Sequence, residues 1–379
     1  MKTYRFTGGN TAPETFPVKG LIKAAEKGIS QVGTGFISYP GELGHQGLRE
    51  VIAQREMDRE GVEVSPAYIS LTNGSMQAVT LMAETFMKGP GDVVVTEELT
   101  YMGTIGAYKR LGAQLVGVPM DKNGMDLDKL EETLERLHEN GTPPAFIYTI
   151  PTYHNPTGIV MPKERRLRLI DIARCFDTIV VEDNCYGDVH YEGEKPPAFY
   201  ALDDDPRHIY ICSLSKILGP GVRQGYFYAR PPYLERILDR RYDGGCSLLS
   251  GSILAAYFKD NFWEHCKMTN ALLKEKRDAT IDALQRDLSG ICSWTQPIGG
   301  LFIWIKFPDD VDQVELDALL AKRQFIHSPG RILHVEGKDI PYLRISFGAV
   351  PLDDISEGIA ILADCIQAAR RLKPAVSAI

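Results

Sequence analysis

Between residues 48 and 230, short apolar runs alternate with longer stretches in which apolar side chains recur every three or four positions. "GLREVIAQREMDREG", "SMQAVTLMAETFMKG", "DLDKLEETLERLHEN" and "KERRLRLIDIARCF" carry the longer pattern and predict amphipathic helices, the second of them stopping at Gly89. "AYISLTNG", "DVVVTE", "AQLVGVP", "AFIYTI", "TIVVED", "HIYICS" and "QGYFYA" are β-branched or aromatic and apolar nearly throughout, as strands are. Strands apolar on both faces and separated by helices predict a mostly parallel sheet covered on each side. "HIYICS" and "QGYFYA" have no helix between them, so an antiparallel neighbour is expected there. After residue 260 the texture changes. "FWEHCKMTNALLKEKRDATIDALQRDL" is one long helical pattern, followed by strand-like "GLFIWIKFP" and "YLRISFG" and by helices near 312–323 and 352–371. The fold class predicted is α/β. A large domain spans 48–270, and a small α+β domain combines 1–47, including an N-terminal arm, with 271–379.

Composition narrows the function. Lys and Arg total 42 against 50 Asp and Glu, a net charge of −8, which argues against nucleic acid or an anionic membrane as the main partner. A local basic pocket for a small anion is still compatible with that balance. No apolar run approaches the roughly 20 residues that span a bilayer, and the start, "MKTYRFTGGNTAPETFP", carries no apolar segment of the signal-peptide kind. The seven cysteines are scattered, odd in number and without CxxC spacing, so reduced thiols in a cytoplasmic protein and no metal site are expected.

The ends of the predicted strands hold an unusual set of polar residues. "TNGSMQ" places Gly74, Ser75, Met76 and Gln77 at a strand-to-helix turn, where first-turn N–H groups and the helix dipole can hold an anion; alone it is only a turn. "PTYHNPTG" puts Asn155 after a strand, and "VVEDNCYGD" ends another with Asp183 and Tyr186. An acid at the end of a buried strand is costly unless a cation or donors meet it. "SLSKILGPGVRQGYFY" sets Lys216 after Ser213 and Ser215, with Arg223 seven residues on. A desolvated amine is a nucleophile that forms a Schiff base with an aldehyde. An aldehyde with a phosphate handle would be anchored by the "GSMQ" helix start, the Ser213 and Ser215 hydroxyls and Arg223. Its pyridine nitrogen would need Asp183 to stay protonated, and its phenolic oxygen would need donors such as Asn155 and Tyr186. Pyridoxal phosphate is the cofactor of that description, and Lys216 its attachment point.

From about residue 8 to 348 the chain resembles the fold-type I, class I/II aminotransferases. The ordered set Gly-Ser-x-Gln, Asn-Pro, Asp-x-x-Tyr, Ser-x-Ser-Lys and Arg carries the resemblance. "SKILGPGVRQGY" and the opening "GGNTAPETFP" are most similar to the branch of 2-aminoadipate and kynurenine-type aminotransferases. MocR-type regulators share these features but carry an upstream DNA-binding unit, for which no room is expected here. The resemblance implies transfer of an amino group from an L-amino acid to a 2-oxo acid. It implies that Tyr101 in "TYMG" stacks on the pyridine, that Arg344 in "YLRISFG" clamps the substrate carboxylate, and that Gly9, Asn10, Thr11 and Asn155 border the substrate. It also implies a homodimer in which Tyr39 crosses to the partner's cofactor phosphate. Where the branch has an apolar residue and proline, this chain has Asn10 and Thr11, and "YDGGCSLLSGSIL" is richer in Gly and Ser. Those departures keep a second reading open, β- or γ-elimination, replacement or cyclisation on the same cofactor; a non-catalytic cofactor-binding sensor is a third. His45, His154 and His327 are further candidates to line the pocket.

Overall fold

A computed structural model describes residues 2–370; the last residues of the expected small domain, 371–379, lie outside the described residues. The apolar runs become a seven-stranded sheet built of β1 (Ile69–Thr72), β2 (Val93–Glu97), β3 (Gln114–Val118), β4 (Phe146–Thr149), β5 (Val180–Asp183), β6 (His208–Ser213) and β7 (Gly225–Tyr228). Their order across the sheet is β1-β7-β6-β5-β4-β2-β3. All neighbours from β6 to β3 are parallel, and β7 runs antiparallel to both β6 and β1. The break expected between "HIYICS" and "QGYFYA" is therefore present. Six of the seven strands are wholly or nearly wholly buried, as continuous apolar runs require of a sheet covered on both faces.

The helices α1 (Val18–Val32), α2 (Gln46–Glu60), α3 (Ser75–Phe86), α4 (Met102–Arg110), α5 (Leu127–Glu139) and α6 (Lys163–Cys175) join or flank these strands. Asp126 begins α5, its carboxylate accepting from the N–H groups of Asp128 and Lys129 at 3.0 and 3.2 Å. The helix expected to run to Gly89 ends at Phe86 instead, because Met87 is already extended. α1 and α4 lie outside the elements read from the pattern. α1 contains two glycines, both packed closely: a Cβ on Gly20 would stand 2.7 Å from the Tyr257 ring and one on Gly28 2.6 Å from the Ser252 carbonyl oxygen.

α7 (Leu248–Leu288) is a single helix of 41 residues, longer at its start than the pattern suggested. It leads to a second, four-stranded sheet of β8 (Ser293–Trp294), β9 (Phe302–Lys306), β10 (Ser328–Pro329) and β11 (Tyr342–Ser346), ordered β8-β9-β11-β10 and antiparallel throughout. α8 (Gln313–Lys322) and α9 (Leu352–Ala368) cover it. Among the described residues three hydrophobic cores form, the first on one face of the large sheet, the second against the small sheet and the third on the large sheet's other face. α7 contributes Leu254, Phe258 and Leu273 to the first, and Ala283, Leu284 and Leu288 to the second. The stretch before residue 48 is shared: Tyr4 and Phe6 pack into the second core, whereas Ala12, Leu21 and Ala24 pack against the first. No described helix is long and apolar enough to cross a membrane.

Candidate active site

The candidate residues converge because one sheet edge collects them. The parallel strands β4, β5 and β6 end toward the same side, delivering Asn155, Asp183 and Lys216 from the segments at or just after their last residues. β7 starts at that same edge, with Gly225 paired to Ser213 on one side and to Thr72 on the other. This register lays Arg223 across the β1-α3 turn, where its guanidinium donates to the Asn73 carbonyl at 2.6 Å. Space is minimal there. A Cβ on Gly225 would stand 2.6 Å from the Ser75 nitrogen, and one on Gly74 would stand 2.9 Å from the Arg223 guanidinium. Gly74 also holds φ +79°, so both its backbone and its surroundings favour glycine. The start of α3, Arg223 and the Ser213–Ser215 hydroxyl pair (2.7 Å apart) thus make a cradle for an anion.

Lys216 projects its Nζ to 2.9 Å from the Gly9 carbonyl oxygen, and a Cβ on Gly9 would come within 3.1 Å of that amine. Burial pushes the Lys216 amine below its usual range, and Arg344 adds to the effect, while Cys185 and Asp183 oppose it. A larger unprotonated, nucleophilic fraction at neutral pH follows. The same burial raises the Asp183 carboxyl above the ordinary carboxylate range, against donors that favour the ionised form. Asp183 Oδ2 accepts from the Tyr148 hydroxyl at 2.6 Å and Oδ1 from the Cys185 N–H at 3.2 Å.

Arg344 lies on β11, an interior strand flanked by β9 and β10, and is only 3% exposed. Its guanidinium donates to Asn155 Oδ1 at 2.7 Å and to Ser328 Oγ at 2.9 Å, and it sits 4.3 Å over the centre of the Phe302 ring. Asn155 Nδ2 in turn donates to the Tyr186 hydroxyl at 3.1 Å. Tyr101 precedes α4, with its ring folded over Gly103, whose Cβ would stand 2.5 Å from it.

Other positions are placed differently. Gln77 braces the β1-α3 turn: its Oε1 accepts from the Asn73 N–H at 2.8 Å and its Nε2 donates to Asp243. Met76 packs against the large core. Asn10 is exposed, and Thr11 is buried with its hydroxyl unpartnered. Tyr39 is 87% exposed and packs over Gly244. The three histidines singled out as pocket candidates have other partners: His45 caps α2, His154 bonds Thr157 at 2.9 Å, and His327 lies 3.2 Å from Asp317. Tyr148, Phe302 and Ser328 touch the site without having been anticipated. The first two read as strand filler, and Ser328 in "IHSPG" carries no local signal.

Fold and site together define a pyridoxal-phosphate enzyme of fold type I. The family model for "Aminotransferase class I and II" matches residues 7–362. The chain belongs to that family and is a pyridoxal-phosphate-dependent aminotransferase, exchanging amino groups between amino acids and 2-oxo acids. It is 34% identical over 364 residues to aromatic-amino-acid aminotransferase 1 of Thermococcus litoralis, covering 95% of this chain and 87% of that one. The structure of a multiple substrate aminotransferase from Thermococcus profundus superposes with a TM-score of 0.90 at 31% identity, over 97% of this chain and 92% of that chain. The α-aminoadipate aminotransferase of Thermus thermophilus, solved with N-(5′-phosphopyridoxyl)-L-leucine, gives 0.89 at 29% identity, covering 97% and 92%. Features of this chain suit the cofactor: a cradle that a side chain on Gly74 would fill, a buried carboxylate, and a buried Arg344 Nε without a hydrogen-bond partner.

Proposed function

We propose that Lys216 carries the cofactor of this aminotransferase and that Arg344 selects its substrates by their α-carboxylate. The observation that carries the reading is the meeting of Lys216, Asp183 and Arg223 along one sheet edge, with Arg344 entering from the second sheet. Arg223, the Ser213 and Ser215 hydroxyls and the first N–H groups of α3 hold the phosphate. Asp183 would face the ring nitrogen, Tyr101 would lie against the ring, and Asn155 and Tyr186 would supply donors to the ring oxygen. Bound there, pyridoxal phosphate supplies an aldehyde carbon that captures amines and a ring that draws negative charge away from the substrate Cα.

The chain's own groups do the rest. Arg344 spends two of its five N–H bonds on Asn155 and Ser328, which fix the plane of its fork and leave the others for a carboxylate. Lys216 Nζ, released when the substrate amine takes its place and lowered in basicity by burial, would take the proton from the substrate Cα. Gly9, Asn10 and Thr11 border the substrate on the side of the amine, consistent with the contact of Gly9 with Lys216. We further propose a homodimer, supported by the exposed Tyr39 and the exposed Ile37 beside it; in the assembly Tyr39 reaches the partner's phosphate cradle. Seven free cysteines support a reducing compartment, the cytoplasm.

Supplied with a preferred amino acid and no 2-oxo acid, the purified enzyme should release about one equivalent of oxo acid per site and then stop; continued release would favour elimination. Lys216→Ala should lose the visible absorption of the bound cofactor, and a retained band would remove Lys216 from its role. Arg344→Lys keeps the charge but not the fork, so kcat/KM should fall about 10- to 100-fold, mostly through KM. Sedimentation should give twice the mass of one chain at micromolar concentration, with a monomer sinking the Tyr39 assignment.

A further inference from the structure

The mechanism above leaves unused a buried chain of hydroxyls behind Asp183. Tyr148, on β4, is fully buried, as is Thr104 on α4. The Tyr148 hydroxyl lies 2.6 Å from Asp183 Oδ2 and 3.1 Å from Thr104 Oγ1. Its ring is clamped edge-on by Tyr108, with centroids 5.7 Å apart at 90°. An ionised carboxylate can only accept, so the single phenolic proton of Tyr148 goes to Asp183, and its oxygen must then accept from Thr104. The relay has one direction: Thr104 to Tyr148 to Asp183.

We propose that Tyr148, oriented by Thr104, is a positioning residue that keeps the proton shared between Asp183 and the cofactor ring on the ring nitrogen. The proposal rests on the reading that Asp183 faces that nitrogen. A hydrogen bond to the carboxylate stabilises its ionised form and makes it a weaker base, so less of the shared proton sits on the acid. A ring that keeps its proton withdraws more charge from the reacting carbon. The need is specific to this site, because burial by itself drives Asp183 toward its neutral form. The other titratable groups facing the carboxylate are Cys185, on the loop after β5, and Lys216, after β6; Tyr108, Tyr101 and Tyr186 lie beyond. The Cys185 thiol is a second side-chain donor to this carboxylate, and the Tyr148 hydroxyl is the one that Thr104 orients.

The test compares Tyr148→Phe, Thr104→Val, Thr104→Ser and Asp183→Asn with the wild type, all loaded with pyridoxal phosphate. Tyr148→Phe should retain the visible band, since Lys216 is untouched. Its kcat should fall about tenfold with KM nearly unchanged, the loss of one hydrogen bond to a charged group. The midpoint of the band's pH titration should move up, because a less firmly protonated ring withdraws less charge from the nitrogen that links it to Lys216. Thr104→Val should give the same changes at about a third of the size, and Thr104→Ser should restore wild-type values. A Tyr148→Phe enzyme with unaltered kcat and titration midpoint overturns the relay. Should Tyr148→Phe not fold, Thr104→Val and its serine rescue decide by the same two readings. If Asp183→Asn also changes neither kcat nor the midpoint, the placement of the ring nitrogen falls, and the relay with it.

Discussion

One side-chain amide ties the two halves of this enzyme together. Asn155 leaves the large sheet after β4, accepts from Arg344 of the small sheet through Oδ1, and donates to Tyr186 through Nδ2. All three side chains are buried, so each bond lost would strand a polar group away from water, at about 1–3 kcal/mol and more for the guanidinium. Arg344 belongs to a strand of one core and Lys216 to a segment of the other. Their separation is set by this bridge and by the Arg344 contacts with Ser328 and the Phe302 ring. Thr7 extends the line, with its hydroxyl 3.0 Å from that of Ser328, and so joins the N-terminal segment to the same network.

The loop carrying Tyr186 is secured from behind by charge. Arg55 and Arg59 of α2 both reach Asp188, and Glu56 pairs with each of them; Glu60 meets Lys195 at 2.8 Å. Burial disfavours the charge on Asp188, yet the two arginines hold its carboxyl below the ordinary range. Two neighbouring guanidiniums can share such a dry space only with carboxylates interleaved between them. Truncating one member would leave a buried charge uncompensated, and the loop from Asp183 to Lys195 would lose its backing.

The sequence disclosed the large sheet well because parallel strands buried on both faces must be apolar at successive positions, and "DVVVTE" or "HIYICS" admit little else. Lys216, Asp183 and Arg223, the residues proposed for the site, stood out in the sequence because charges beside buried strands have few structural excuses. α1 was hidden by its two glycines, which serve contact with α7 rather than helix propensity. Tyr148 and Phe302 looked like core residues, and they are core residues; their polar or ring contact with the site depends on which neighbouring strand each faces. The small sheet's internal pairing, which places Ser328 opposite Arg344, joins segments 16 residues apart through a register no local pattern encodes.

The 41-residue α7 has a mechanical meaning. At 1.5 Å per residue it is a rod about 60 Å long whose first half is embedded in one core and whose last turns are embedded in the other. A continuous helix has no joint at which one core can swing freely against the other. Any displacement of one core against the other would have to be absorbed as a gentle flexing of this beam, distributed over many turns, rather than at a single pivot.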